Sequence, residues 1–216
     1  MPYVLYTYWR SSATYRVRIA LNIKGIAFES APIHLVRNGG EQSTEAYRAI
    51  NPAAVVPAMR LMDGRILTQS LAIIEYLEEM HPEPALLPKE LLLRARVRAA
   101  AQLIASDIHP INNLRVAQYL KGTLGQSQDS TATWMRHWMQ IGLNAYADLV
   151  DDTADFSFGN SPTLADICLV PQLYNARRWG LDLGSLERLT EIERRCLAID
   201  AFTAASPDRQ PDAETA

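Results

Sequence analysis

An α/β half followed by an all-α half is the fold class this sequence predicts, and three observations predict it. Residues 1–82 alternate short β-forming runs with helix-spaced apolar residues in the order βαβαββα. Prolines at 82, 84 and 88 then punctuate the chain. Beyond them apolar residues recur at helical spacing only. Two domains are therefore expected, 1–82 and 89–216, separated by a linker at about 82–88.

Each element has its own signal. Tyr3-Val-Leu-Tyr-Thr-Tyr8 is rich in β-formers and reads as a strand. Val17, Ala20, Leu21 and Lys24 follow helical spacing, with Ser11 or Ser12 as N-cap and Lys24-Gly25 as the stop. Ala27–Ile33 is a second strand, and strand–helix–strand order implies a parallel pair with a right-handed crossover. A polar loop over Arg37–Ser43 leads to a short helix, Thr44–Ile50, stopped by Asn51-Pro52. Ala58–Met62 and Arg65–Thr68 flank Asp63-Gly64, a dipeptide suited to a tight hairpin turn. Ser70–Met80 is amphipathic, with Ala72, Ile73, Tyr76, Leu77 and Met80 as the expected buried face.

In the second half, Leu91–Leu120 reads as a long helix interrupted by Pro110. Trp134, Trp138, Ile141, Ala145 and Leu149 form the expected buried stripe of another. Thr163–Trp179 and Ser185–Ala198 complete the helical set. The tail from Ser206, with two prolines, is expected to be loose.

Composition excludes several classes. With 48% hydrophobic and 21% charged residues, the 216-residue chain is globular rather than collagen-like or disordered. No apolar run approaches the ~20 residues needed to span a bilayer. The first ten residues lack the basic start, apolar core and small-residue cleavage site of a signal peptide, so a soluble, cytoplasmic protein is expected. A net charge of −3 offers no basic surplus for nucleic acid or anionic membrane. The two cysteines have no metal-like neighbourhood and the four histidines are scattered, so no metal site is expected.

Three short segments suggest chemistry beyond folding. Arg10-Ser11-Ser12-Ala13-Thr14 places hydroxyls at the start of the first helix. Capping alone explains them. A hydroxyl beside a positive helix end also stabilises a thiolate. Neither cysteine lies there, so such a thiol would come from a ligand. Val56-Pro57 stands before a strand, where proline is ordinary; as a cis bond it would expose a backbone N–H and C=O to a peptide ligand. Gln69-Ser70 precedes a helix, either as a weak cap or as an anion site.

Together these segments resemble the glutathione site of the glutathione transferase family, and the whole chain resembles its zeta class. The matching stretches are residues 10–21, Asn51-Pro52 with Val56-Pro57, residues 69–79, 107–115, 163–172, 175–178 and 209–212. One position departs: Ala13 stands where the class usually has cysteine, a cysteine that some related maleylpyruvate isomerases also lack. The resemblance implies a thioredoxin-like N-terminal domain, a helical C-terminal domain, and glutathione as cofactor. By similarity, Ser11 would hydrogen-bond the glutathione sulfur and Ser12 would support the same helix end. The Val56 main chain would pair with the cysteinyl backbone, and Gln69 and Ser70 would hold the γ-glutamyl carboxylate. Gln42 would approach the glycyl end, and His109 and Asn113 would close the site from the second domain.

The same resemblance places Arg10, Arg115 and Arg178 near an acidic substrate, and a dicarboxylate suits arginine's two-point fork. Arg16 and Arg18 are expected in structural pairs and Arg177 against a helix dipole. Asp166 belongs to a capping box, Thr163-Leu-Ala-Asp166, rather than to catalysis. Cys168 is expected to be buried and inert. The implied activity is glutathione-dependent cis–trans isomerisation of maleylacetoacetate in tyrosine and phenylalanine breakdown. Maleylpyruvate is an alternative substrate, and transfer of glutathione to small electrophiles such as 2-haloacids is an alternative reaction. A homodimer is implied by the resemblance alone.

Overall fold

The computed structural model describes residues 1–214. Its sheet consists of β1 (Tyr3–Thr7), β2 (Phe28–Pro32), β3 (Ala58–Arg60) and β4 (Ile66–Thr68), in the spatial order β2-β1-β3-β4. β1 and β2 are parallel, with Tyr3 opposite Phe28, as the crossover requires. β3 runs antiparallel to both β1 and β4. The hairpin turns at Gly64, whose φ of 89° is left-handed and favours glycine.

The crossover helix α1 (Ser12–Ile23) is buried from Ser12 to Leu21 and capped by Ser11. Thr44 caps the short α2 (Glu45–Ile50). α3 (Ser70–Met80) has the predicted bounds, but its buried face is Ser70, Ile73, Ile74 and Leu77. Those positions form the i, i+3, i+4, i+7 stripe of a single helix face. Ala72 and Met80 lie round the helix from it and are exposed.

The expected extent of the second domain, 89–216, needs correction. The chain forms two compact units: Met1–Leu86 together with the segment from Ala198 onward, and Leu87–Leu197. The reason is a set of hydrogen bonds from α1 to the C-terminal segment around α10 (Asp200–Ala204). Asn22 donates to the Ala201 carbonyl, Tyr15 to that of Phe202 and Arg18 to that of Ala205. The tail is not loose either: a 3₁₀ turn at Pro207–Arg209 is followed by Gln210, whose amide donates to the Ala204 and Ser206 carbonyls.

The second unit contains α4 (Leu91–Gln102), a π-helical segment at Leu103–Ile108, α5 (His109–Ile111) and α6 (Leu114–Gly122). It continues with α7 (Gln128–Ala147), α8 (Leu164–Arg178) and α9 (Glu187–Leu197). Pro110 lacks an N–H and its ring crowds the preceding turn, so the ladder widens just upstream of it. α8 is buried on every side from Leu164 to Leu173, which identifies it as the unit's central helix.

α7 buries Met135, Met139, Gly142, Leu143 and Tyr146, not the stripe running through Trp134 and Ile141. Close approach explains the difference. A Cβ on Gly142 would lie 2.3 Å from Ile108 Cγ1, so this face admits glycine and pliable methionine but no indole. Trp134 instead turns outward and donates to the Ile111 carbonyl at 2.8 Å.

Candidate active site

The turn between β1 and α1 sets the position of Ser11. Its N–H donates to the Tyr8 carbonyl at 3.0 Å, and its Oγ accepts the Thr14 N–H at 3.3 Å. A hydroxyl used as an acceptor still has one proton to donate. That proton and the α1 N-terminus together suit an anion. Ser12 is the buried first residue of the helix. Arg10 lies beside it, with its guanidinium 5.0 Å from the Trp9 ring centroid.

Val56-Pro57 is cis, as the peptide-ligand reading of the sequence required. The sheet ladder begins only at Ala58. Among the described residues no hydrogen bond engages the Val56 N–H or C=O. The preceding carbonyl, of Val55, is taken by the Tyr47 hydroxyl at 2.8 Å and by Asn51 Nδ2 at 2.7 Å. Burial pushes that Tyr47 hydroxyl up to a pKa of about 12, so it remains a donor.

Gln69 has φ 71° and ψ 121°, a conformation that costs a non-glycine residue roughly 1–3 kcal/mol. It is exposed at the start of α3, and Ser70 follows, buried. Ser70 Oγ accepts from Arg16 Nη1 at 3.2 Å, and Arg16 is 1% exposed. A buried cation therefore backs the N-terminus of α3. Sequence reasoning assigned Arg16 to an ordinary pair, because nothing local links residues 54 apart. Gln42 donates Nε2 to the Leu35 carbonyl at 3.2 Å, while its buried Oε1 has no partner. It is wedged against Gly40, where a Cβ would fall 2.4 Å from Gln42 Nε2.

These groups of the first unit fit a thiol-bearing peptide with terminal carboxylates, such as glutathione. A hydroxyl at a helix end suits the sulfur, and an unengaged main-chain edge suits the peptide. A helix N-terminus backed by arginine suits a carboxylate, and an orphaned amide oxygen suits an N–H. The chain's own thiols do not compete. Cys168 and Cys196 are both buried, and burial pushes the Cys196 thiol up, away from its thiolate.

In the second unit, His109 opens α5. Asn113 caps α6, its Oδ1 accepting the Arg115 N–H at 3.0 Å, and Arg115 is exposed. Arg178 lies in the last turn of α8 and is exposed. Its Nη2 donates to Asn175 Oδ1 at 2.9 Å. Asn175 Nδ2 donates to Asn112 Oδ1 at 3.3 Å, and Asn112 Nδ2 donates to the Ile108 carbonyl at 2.7 Å. Two buried amides thus connect Arg178 to the segment that carries His109 and Asn113. Sequence reasoning missed both, since an isolated asparagine carries no signal of its partner. Arg177 stands in the last turn of α8, where a cation suits the helix dipole as expected, and it is also ion-paired with the buried carboxylate of Glu193.

Known proteins resemble this chain over nearly its whole length. Residues 5–85 match the family model described as glutathione S-transferase, N-terminal domain. A Vibrio cholerae protein named probable maleylacetoacetate isomerase is 48% identical over 99% of both chains. The holo structure of a maleyl pyruvate isomerase, described as a bacterial zeta-class glutathione S-transferase, is 42% identical. It superposes with a TM-score of 0.94 over 98% of this chain and 100% of that one. A maleylacetoacetate isomerase from Anaeromyxobacter dehalogenans, solved with dicarboxyethyl glutathione and citrate in its active site, is 44% identical with a TM-score of 0.87. The coverage there is 99% of this chain and 98% of that one. With relatives this similar over nearly its whole length, the chain belongs to the zeta class of the glutathione S-transferase family.

Proposed function

We propose that this chain is a glutathione-dependent cis–trans isomerase converting maleylacetoacetate to fumarylacetoacetate in tyrosine and phenylalanine breakdown. The observation that carries the reading is Ser11 at the α1 N-terminus, in a unit whose Val56 edge and Gln69-Ser70 corner suit the rest of a thiol peptide. The names of its relatives support the same activity.

Bound glutathione supplies a thiol whose anion adds to the cis double bond, permits rotation about the resulting single bond, and leaves unchanged. The protein's part is to bind, orient and stabilise charge. Ser11 donates to the sulfur, and Ser12 keeps the helix end closed behind it. Val56 pairs with the cysteinyl backbone, Gln69 and Ser70 hold the γ-glutamyl carboxylate, and Gln42 serves the glycyl end. His109 and Asn113 serve the same cofactor. Arg10, Arg115 and Arg178 hold the carboxylates of the substrate and stabilise the negative charge that develops on it. No protein nucleophile takes part. A homodimer in the cytoplasm belongs to this reading, on the strength of the zeta-class membership.

Maleylpyruvate is the second reading. Ala13 in place of the usual cysteine favours it, as does the fit to the holo maleyl pyruvate isomerase. A product assay with both substrates, with and without glutathione, tests the choice. Trans product from maleylacetoacetate without net thiol loss is expected; preferential turnover of maleylpyruvate would favour the second reading. A stable conjugate formed with stoichiometric thiol loss would replace both with a transferase.

Arg178→Ala is expected to raise the KM for the acidic substrate about tenfold to a hundredfold, the scale of a lost charge-assisted hydrogen bond. The KM for glutathione should move less than about twofold on this assignment. Equal weakening of both would remove Arg178 from the substrate's carboxylate.

A further inference from the structure

The Arg209–Asp212 segment resembles the zeta class, yet the chemistry above leaves it without a role. In the structure it reaches the turn that presents Ser11. The Trp9 N–H donates to Asp212 Oδ2 at 2.9 Å. The Trp9 carbonyl accepts from Arg18 Nη2, also at 2.9 Å, and Arg18 Nε donates to the Ala205 carbonyl. Both polar groups of the Trp9 main chain are therefore tied to the C-terminal segment, one directly and one through a single guanidinium.

The tail is itself anchored on both sides of this contact. Gln210 holds the preceding turn through the Ala204 and Ser206 carbonyls. Ala213 packs on the cluster of Tyr8, Trp9, Tyr47 and Val56. Glu214 accepts from Arg37 Nη2 at 3.2 Å and pairs with His34 Nε2 at 3.0 Å. The same tail thus touches the Ser11 turn and the apolar support of Val56.

The Trp9 N–H needs such a partner. β1 ends at Thr7 and α1 begins at Ser12, so neither ladder supplies an acceptor. A largely buried N–H without one turns toward water or is left unsatisfied, and the turn shifts with it. Resting on the reading of Ser11 given above, the geometry points to Asp212 as a positioning residue for the thiol-binding turn. It touches no reacting atom; it holds Trp9 so that Arg10 and Ser11 sit in register at the α1 N-terminus.

The test uses the full chain as Asp212→Ala, Asp212→Asn and Ser11→Ala. Three quantities are read: glutathione affinity, the pH titration of the bound thiol by its thiolate absorbance, and the melting temperature. Asp212→Ala is expected to weaken glutathione about fivefold to thirtyfold, the scale of one lost buried hydrogen bond. It should also move the thiol titration to higher pH. Asp212→Asn keeps a carbonyl acceptor and should restore most of both. If Asp212→Ala does not fold, Asp212→Glu takes its place: it keeps the charge and an acceptor but displaces the carboxylate by one methylene, and weaker glutathione binding with a raised thiol titration is again expected.

A variant that melts lower yet titrates and binds as the parent does would overturn the inference, since a purely structural clamp behaves that way. If Ser11→Ala moves the titration and the Asp212 variants do not, the inference fails while the reading of Ser11 stands. If Ser11→Ala leaves the titration unmoved, that reading fails and takes the inference with it.

Discussion

Ser11→Ala is expected to lower turnover at neutral pH about tenfold to a hundredfold, the scale of one hydrogen bond to a charged group. A free thiol titrates near pH ~8.5, so only a few per cent is anionic at neutrality without help. A hydroxyl donor and the positive end of α1 both favour the anion and lower that value. Without the donor the titration moves back up, and activity should recover partly as pH rises through ~8.5. The side chain has a second task, because Oγ also caps the helix by accepting from Thr14 N–H. Loss of that cap costs about 1 kcal/mol, and replacement by glycine only a few tenths. Ser11→Gly therefore separates the two roles. It should stay close to the parent in melting temperature and lose activity as Ser11→Ala does. A glycine variant with parental turnover would show that the hydroxyl matters only to folding.

The second large effect is on stability. Asp166 is fully buried beneath the start of α8. Its Oδ1 accepts the Ser157 N–H at 2.9 Å, and its Oδ2 accepts the Thr163 N–H at 2.7 Å and the Thr163 hydroxyl at 3.1 Å. Asp166→Ala leaves two buried backbone donors without acceptors, each costing roughly 1–3 kcal/mol, against which the relief of burying a carboxylate is credited. A net loss of about 3 kcal/mol is expected, a large share of the roughly 5–15 kcal/mol that is ordinary for a domain. Chemical denaturation measures it. A loss below about 1 kcal/mol would mean that the segment rearranges to satisfy those donors elsewhere.

The pH dependence has a definite sign. Burial raises the Asp166 pKa above its ordinary 3.8, outweighing the hydrogen bonds that lower it. The folded state thus holds this proton more tightly than the unfolded chain. The contribution of the group to stability is fully present below 3.8 and declines as pH rises through the raised folded value. Asp166→Asn removes that decline, so its stability profile should be flatter than the parent's over the acidic range.

Much of the fold is legible in the sequence because its signals are local. The Asp63-Gly64 turn, the Ser11 cap, the capping box at Thr163–Asp166 and the bounds of α3 depend on residues within one or two turns of each other. The face of α7 is not legible. An apolar stripe through Trp134 and one through Met135 look alike in sequence, and only the close approach of Ile108 to Gly142 decides between them. The order of the tail is hidden for a related reason. Two prolines and small polar residues predict looseness from Ser206 onward, but Gln210 donates to the Ala204 and Ser206 carbonyls, Asp212 accepts the Trp9 N–H, and Glu214 pairs with His34 and Arg37 from the other end of the chain.

The candidate site divides in the same way. Ser11, Val56, Gln69 and Ser70 each stand in a motif that spans a few residues, so local sequence is enough to single them out. Sequence by itself determined the strand-and-helix order, the caps, the cis-compatible Val56-Pro57 step and membership in a thiol-using family. Tertiary structure alone decided that Arg16 backs Ser70, that Asn175 and Asn112 link Arg178 to the His109 segment, and that Asp212 reaches Trp9. The physical reason is range. Caps and turns are hydrogen bonds between near neighbours and leave a fixed spacing in the chain, whereas these contacts join residues 54, 63 and 203 positions apart. Such pairs leave no periodicity, and they form only when the packing of whole elements brings one buried donor to one buried acceptor.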